Sequence, residues 1–502
     1  MENKQVKWGV ILSYLLILLN TLFGLLVTPY IIGCLGTDEY GVYKTISSLT
    51  ASLTVIDLGL GSTVMRYIAK YNASGNHESI PNFLAMTMIQ GVITCAIIGF
   101  IAIPVYSSID VVYARTFSAA QIETGKTILL MLIANMALRV FENIINGVIT
   151  GSNHFLVGNG IKVFSLVVRG ALLIVLLTAF PDARAIALID IGITVVLLIA
   201  ELYFVLIKLG ITIKLTRLDK SVFLESGVYT ILMLLQNVAI QLNGNVDTVL
   251  IGAMINTTSV TIYSMSLIIF NLYENLAGAI SSVLLPSVVK LVEEKKNSAE
   301  LQKFVEKTGR VQFIVLGAAL GGFIVMGRDF YRLWLGELYK DCYYLTLILI
   351  IPVTFPMLQN VALSILRAQN RMGYRTVTLM LSSLINIVIS IGGILIWGYW
   401  GAAIGTAAYS IANVIFMNVY YRRKLHFNVF SMFSKIFSRT LICVIIAAAL
   451  TAICQSIWSG GWLTLIINAA MYMAIYGILM VFWGFSLEER DMFHIRTKGV
   501  RI

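Results

Sequence analysis

Arg139 and Arg169 each lie about a dozen residues inside a long apolar stretch, near the centre of what the sequence predicts to be a bilayer crossing. A guanidinium stays charged, and insertion scales put one at a helix midpoint at roughly 2.5–3.5 kcal/mol unfavourable. A chain this apolar inserts without such residues. The two arginines are therefore expected to face a wet interior cavity rather than lipid, and a cationic cavity suits an anionic cargo.

Polar residues recur around them at helical spacing. Asn135, Arg139, Glu142, Asn143 and Asn146 share one face of a predicted fourth span, with Glu142 three residues from Arg139 and within pairing reach. That stripe is either a wetted face or a neutralised pair that joins two helices. In the fifth span Lys162, Ser165 and Arg169 align. Lys162 and Arg66, each near an inner helix end, either line the cavity or snorkel to the headgroups.

The buried acids are more numerous: Asp57, Glu142, Asp190, Glu201, Asp247 and Glu274. Asp190, Thr194 and Glu201 share a face of the sixth span. Gln236, Asn243 and Asp247 share one in the seventh, while Asn271, Glu274 and Asn275 mark the eighth. A carboxylate at that depth either carries H+ or Na+ along with cargo or holds a helix in register through hydrogen bonds. All four intramembrane cations fall in the first half of the chain. The first half is thus suited to hold an anion and the second to accompany movement.

The elements that must position these groups are membrane helices. Of 502 residues, 58% are hydrophobic and only 12% charged, against about 25% charged in a soluble domain. A span needs about 20 apolar residues. The chain divides into fourteen such stretches: 8–35, 41–69, 82–105, 127–150, 158–180, 185–207, 223–254, 260–289, 311–327, 341–366, 376–397, 401–421, 440–457 and 462–485. The eighth is long enough for tilt or a bent end, and Pro286 near its finish fits that. The first, Trp8–Leu35, is too long for the apolar core of a cleavable signal peptide and reads as a span.

Charge asymmetry orients the chain. With the N-terminus inside, inner segments hold 25 of the 36 Lys and Arg and outer loops seven, which predicts both termini in the cytoplasm. No loop is long enough for a folded domain, so function must reside among the helices. The basic residues lie in short clusters rather than on one solvated face, which argues against nucleic-acid binding. The four histidines form no metal-ligand cluster, the five cysteines read as isolated thiols, and no nucleophile–base arrangement is visible. Small-residue spacings at Gly147 and Gly151, Gly317 and Gly321, and Gly401 and Gly405 fit close helix contact.

Two echoes share an offset near 218 residues. Ile32-Gly33 with Tyr43 is matched by Ile251-Gly252 with Tyr263, and Thr150-Gly151-Ser152-Asn153 by Arg367-Ala368-Gln369-Asn370. Parallel repeats of this kind place a substrate site at the interface of two lobes. The expected architecture is an all-α integral membrane protein. It has a six-helix lobe over 1–210, a second over 211–425, and two extra helices with a cytoplasmic tail over 426–502.

Segment Thr28–Tyr71, TPYIIGCLGTDEYGVYKTISSLTASLTVIDLGLGSTVMRYIAKY, resembles the first hairpin of bacterial polysaccharide-export flippases. These are the O-antigen and capsule repeat-unit flippases of the multidrug/oligosaccharidyl-lipid/polysaccharide exporter superfamily. Val260–Lys296 and Ile365–Ser410 are similar to the same family. The resemblance implies two bundles that rock between inward- and outward-open states in the bacterial inner membrane, with no cofactor and no enzymatic step. It implies a cationic cavity for an undecaprenyl-pyrophosphate-linked oligosaccharide and a groove for the lipid tail beside the last two helices. It also implies polysaccharide polymerase and chain-length machinery as partners.

By position, Arg66, Arg139, Lys162 and Arg169 are the expected cavity cations, and Asn135, Asn143, Asn146, Gln236, Asn243 and Asn271 the polar lining. Peptidoglycan-precursor flippases of the superfamily usually carry arginines in or just after the first span, whereas Trp8–Leu35 holds no charge.

Two rival readings remain. A cation-coupled multidrug exporter of the same fold would want acids rather than arginines at its centre. A membrane glycosyltransferase or polymerase would use outer-loop acids, and Asp38-Glu39 sit in the first outer loop. Such enzymes normally add a large outer domain, and a solvated turn is the simpler account of that pair.

Overall fold

The computed structural model describes residues 2–53, 59–216, 220, 223–227, 244–294, 297–369, 371–457, 460–486 and 489–490. The described secondary structure is helical throughout. Among the described residues, eleven helices are long and apolar enough to cross a membrane. Many carry strongly exposed apolar side chains, among them Phe100, Val111, Leu395 and Phe430. That surface is tolerable only against acyl chains, where closed backbone hydrogen bonding also favours helices.

The chain forms two compact units: Met1–Ser264 with Ser390–Ala402, and Met265–Ile389 with Ala403–Ile502. In the first lie α1 (Glu2–Leu35), α2 (Thr37–Leu53), α3 (Leu60–Ala73), α4 (Ser79–Val112), α5 (Ala119–Gly151), α6 (Phe155–Ala179) and α7 (Ala183–Tyr203). A π-helical turn, Phe204–Lys208, extends α7. The stretch expected as one span over 41–69 is thus α2 and α3, with 54–58 outside the described residues.

Helix α5 is the hub of this unit and packs against α2, α3, α4 and α7. It starts at a capping box, in which Ser118 and Gln121 each satisfy the other's backbone N–H. Gly147 and Gly151 let α3 approach closely. A Cβ on Gly147 would fall 2.6 Å from the Gly61 carbonyl oxygen, and one on Gly151 would fall 2.8 Å from that of Met65. Val140, Ile144, Val148, Val64 and Ile68 fill the seam completely. Close backbone packing of this kind is what small residues at a four-residue spacing provide.

Helix α8 (Thr257–Glu293) begins in the first unit and continues in the second, running on through Pro286. After it come α9 (Ser298–Leu335), α10 (Asp341–Met357), α11 (Asn360–Ala368), α12 (Gly373–Trp397), α13 (Tyr399–Lys424), α14 (Val429–Ile457) and α15 (Trp462–Leu479). The expected span 341–366 is broken between α10 and α11. Pro356 supplies no N–H, and Gln359 N–H turns back to the Pro356 carbonyl, closing the helix.

Helix α9 organises the second unit through contacts with α14, α15 and α10. Gly317 and Gly321 face Val444, and Gly321 also meets the Tyr472 hydroxyl. Gly401 lies directly against Gly393 across the tight α12–α13 turn. All five cysteines are free thiols.

Candidate substrate-binding site

The first unit gathers its polar groups in two tiers. The α6–α7 hairpin turns at Phe180–Asp182, so Arg169 and Asp190 lie roughly 15 and 10 Å back from the turn at 1.5 Å per residue. The guanidinium meets the carboxylate with two bonds: Nε donates to Oδ1 at 2.5 Å and Nη2 to Oδ2 at 3.2 Å. Such a fork is the strongest arrangement open to this pair. The side chains are 25% and 11% exposed. Phe23 of α1 lies 5.0 Å from the guanidinium, within cation–π range, and Tyr43 adjoins both charges.

The second tier joins α5, α6 and α7. Asn146 donates from Nδ2 to Glu201 Oε1 at 2.7 Å and accepts at Oδ1 from Lys162 Nζ at 3.0 Å. Its amide is thereby oriented, with nitrogen to the acid and oxygen to the ammonium. Glu201 is wholly buried, and its Oε2 has no hydrogen-bond partner. Glu142, also buried, acts on Glu201 electrostatically together with Lys162. Beside this tier lies a cavity of about 280 Å³ lined by Gly61, Ser62, Met65, Asn143, Asn146 and Thr150.

Arg139 differs from both tiers. It is exposed, and among the described residues it makes no ion pair. The pairing with Glu142 suggested by their spacing does not form. Three helical steps turn the two side chains about 60° apart, and α5 directs Glu142 into its packing while Arg139 points out. Arg66 is exposed on α3, and Asn135 is buried with Oδ1 unpartnered. Asp57, Gln236 and Asn243 lie outside the described residues.

Asp247 sits within the first unit, 3% exposed. It accepts from Tyr263 Oη at 3.0 Å and from Ser390 Oγ at 2.9 Å. Those bonds tie residues 244–254 to the start of α8 and the 390–402 segment. In the second unit Glu274 is half-buried, while Asn271 and Asn275 are exposed.

Sequence reasoning assigned Arg375 to an inner loop. It is the third residue of α12, donates to Asn413 Oδ1 at 2.5 Å and, with Glu274, flanks Tyr409. Its place beside an apolar run beginning at Thr376 was the available signal. The second unit also holds an apolar groove of about 610 Å³ beside α15, lined by Leu276, Ile314, Ala318, Phe330, Tyr472 and Tyr476 among others. No group of three His, Cys, Asp or Glu able to hold a metal ion occurs among the described residues.

The sequence profile of the family described as polysaccharide biosynthesis protein matches residues 6–292, more than half of the chain. The chain belongs to that family. Among solved structures, the lipid II flippase MurJ in an inward closed conformation aligns with a TM-score of 0.74 at 14% identity. The alignment covers 97% of this chain and 99% of that one. An inward-facing multidrug resistance MATE family transporter of the MOP superfamily aligns at 0.69 and 14% identity, over 82% of this chain and 94% of that one. An outward-facing transporter of the same description aligns at 0.55 and 16%, over 85% and 96%. At these identities the likeness is one of fold: the chain is a multi-pass helical membrane protein with a fold like that of MurJ and the MATE transporters. Comparison with curated protein sequences returns no match.

Proposed function

We propose that the protein is a flippase that carries an undecaprenyl-pyrophosphate-linked oligosaccharide repeat unit, of the O-antigen or capsule kind, across the bacterial inner membrane by alternating access. The observation that carries this reading is Arg139: an exposed guanidinium without an ion pair among the described residues, twelve residues inside a membrane helix. Such a group needs an anion or water, and a pyrophosphate supplies two adjacent anionic centres.

Arg139 takes the pyrophosphate first. Arg169 joins when the cargo displaces Asp190, which balances its charge in the empty carrier. Asn143, Ser62 and Thr150 offer hydrogen bonds to sugar hydroxyls. Lys162 is oriented by Asn146, and Arg66 adds positive potential from α3. Glu201 and Asp190 are the carboxylates best placed to take up H+ or Na+. Asp247 has its oxygens engaged by Tyr263 and Ser390 and is better suited to holding helices in register.

The apolar groove beside α15 suits the polyprenyl tail. A repeat unit is favoured over a peptidoglycan precursor because Trp8–Leu35 carries no charge. The protein then performs no covalent step and works ahead of a polymerase and chain-length machinery.

The competing reading is a cation-coupled drug exporter, favoured by the buried acids Glu142 and Glu201. Cells lacking the protein decide between them. Accumulation of lipid-linked repeat units supports the flippase, whereas hypersensitivity to cationic dyes with unchanged lipid intermediates supports the exporter. Wild-type glycan export by both Arg139→Ala and Arg169→Ala would overturn the assignment of the cations.

A further inference from the structure

The second unit contains a polar pocket of about 680 Å³ that the proposed cargo path does not use. It lies where the start of α9, the start of α14 and the end of α15 meet. Lys303, Lys307, Arg310, Lys435 and Arg439 line it against only two carboxylates, Glu306 and Glu489, which leaves three positive charges in excess.

Arg310 is the frame of the pocket. It donates to Glu489 Oε1 at 2.6 Å, Ser438 Oγ at 2.5 Å, the Gly484 carbonyl at 2.5 Å and the Lys435 carbonyl at 3.3 Å. Helix α14 leaves helical geometry at Ser438, which frees carbonyls of the preceding turn, and the guanidinium fills one of them. Arg310 thus fastens three elements together. Lys435 pairs with Glu306 at 2.9 Å, and the exposed Lys303 and Arg439 are left facing the opening.

The apolar groove lies further along α9, with Ile314 of the groove four residues on from Arg310 of the pocket. Arg310 meets Gly484, Tyr476 Oη bonds the Ile314 carbonyl at 2.8 Å, and Phe330 meets Trp462. Ile314 to Phe330 spans roughly 24 Å, most of a hydrocarbon core of about 30 Å. The chain beyond Arg490 carries Arg496, Lys498 and Arg501 against Asp491 alone, so its charge opposes its serving as the occupant.

We propose that this pocket binds the phosphate headgroup of an anionic glycerophospholipid from the lysine- and arginine-rich leaflet. Basic pockets between membrane helices take such headgroups on the cytoplasmic side. The site is independent of the cargo assignment and stands or falls without it.

The test uses full-length protein in detergent, with native mass spectrometry and thermal stability as readouts. Phosphatidylglycerol is compared with phosphatidylcholine of the same acyl chains, with inorganic phosphate, and with undecaprenyl phosphate. Phosphatidylglycerol should bind preferentially and raise the melting temperature. Lys303→Ala with Arg439→Ala should weaken it by about thirtyfold, the effect of two interfacial charges. Arg332→Ala with Lys340→Ala, at the opposite end of α9 and beyond, should leave it unchanged.

Equal binding of both phospholipids to the unaltered protein overturns the proposal, whether or not any variant folds. So does full retention by Lys303→Ala with Arg439→Ala. Displacement of the lipid by millimolar inorganic phosphate, or tighter binding of undecaprenyl phosphate at the same residues, assigns the pocket to another ligand and overturns it as well.

Discussion

Replacing Asp190 by Asn leaves Arg169 without its counter-charge among α1, α6 and α7. Removing one member of a buried ion pair typically costs about 3–5 kcal/mol. This pair is 25% and 11% exposed, and Phe23 remains beneath the guanidinium. The expected loss is therefore about 2–3 kcal/mol, close to the insertion cost of a lone arginine. The double variant Arg169→Gln with Asp190→Asn removes both charges and keeps a hydrogen bond possible. It should recover most of that stability, so that the coupling between the sites is about 2 kcal/mol.

Transport separates the roles. If Arg169 receives pyrophosphate, the double variant is stable yet fails to export, and lipid-linked intermediates accumulate. The assay pairs thermal melting of purified protein with the level of those intermediates in cells. Wild-type export by the stable double variant would refute the role of Arg169 in cargo binding and leave it as a helix fastener. A single variant as stable as the parent would refute the energetic reasoning itself.

Arg139→Ala should change stability by less than about 0.5 kcal/mol, as for other exposed groups without partners, while abolishing export; a large drop in melting temperature would show that it holds the fold. Gly147→Val should destabilise by about 1–3 kcal/mol by overpacking, because even a Cβ there meets the Gly61 carbonyl oxygen at 2.6 Å; melting of the purified variant checks it. Tyr263→Phe should cost about 1–3 kcal/mol by removing a hydrogen bond from buried Asp247, again read by melting, with export per folded molecule unchanged. Glu201→Gln keeps an acceptor for Asn146 and should fold, yet transport into vesicles should lose its dependence on a proton or sodium gradient; unaltered gradient dependence would remove Glu201 from the coupling.

The helical membrane architecture was legible because apolar runs of span length admit few alternatives, and small-residue spacing at Gly147 and Gly151 pointed correctly to close packing. Helix breaks were harder to read. The interruption after Met357 depends on Pro356, yet Pro352 sits four residues earlier in the same helix without ending it, so proline alone does not locate the break.

In the polar clusters, periodicity misjudged which residues pair. Arg139 and Glu142 are close in sequence but diverge around α5. Arg169 and Asp190 are 21 residues apart and meet because a hairpin folds them level. That signal was present in their similar distances from the Phe180–Asp182 turn. The link from Asn146 to Glu201 and Lys162 is tertiary and leaves no local trace.

The pairing of Arg169 with Asp190 bears on why such a carrier would hold acids beside its arginines at all. A carrier that releases an anion on one side must return empty, and a bare guanidinium at mid-depth opposes that return by roughly 2.5–3.5 kcal/mol. An adjacent carboxylate removes most of this penalty during the return stroke. The same carboxylate then competes with the cargo, so affinity falls unless something neutralises it as the cargo arrives. A proton or Na+ on Asp190 would do that, and it would make cargo binding and ion uptake mutually favourable by linkage. On this view Arg139, which has no such competitor among the described residues, sets the first capture of the phosphate. On the same proposed reading, Arg169 and Asp190 set when the carrier is allowed to turn.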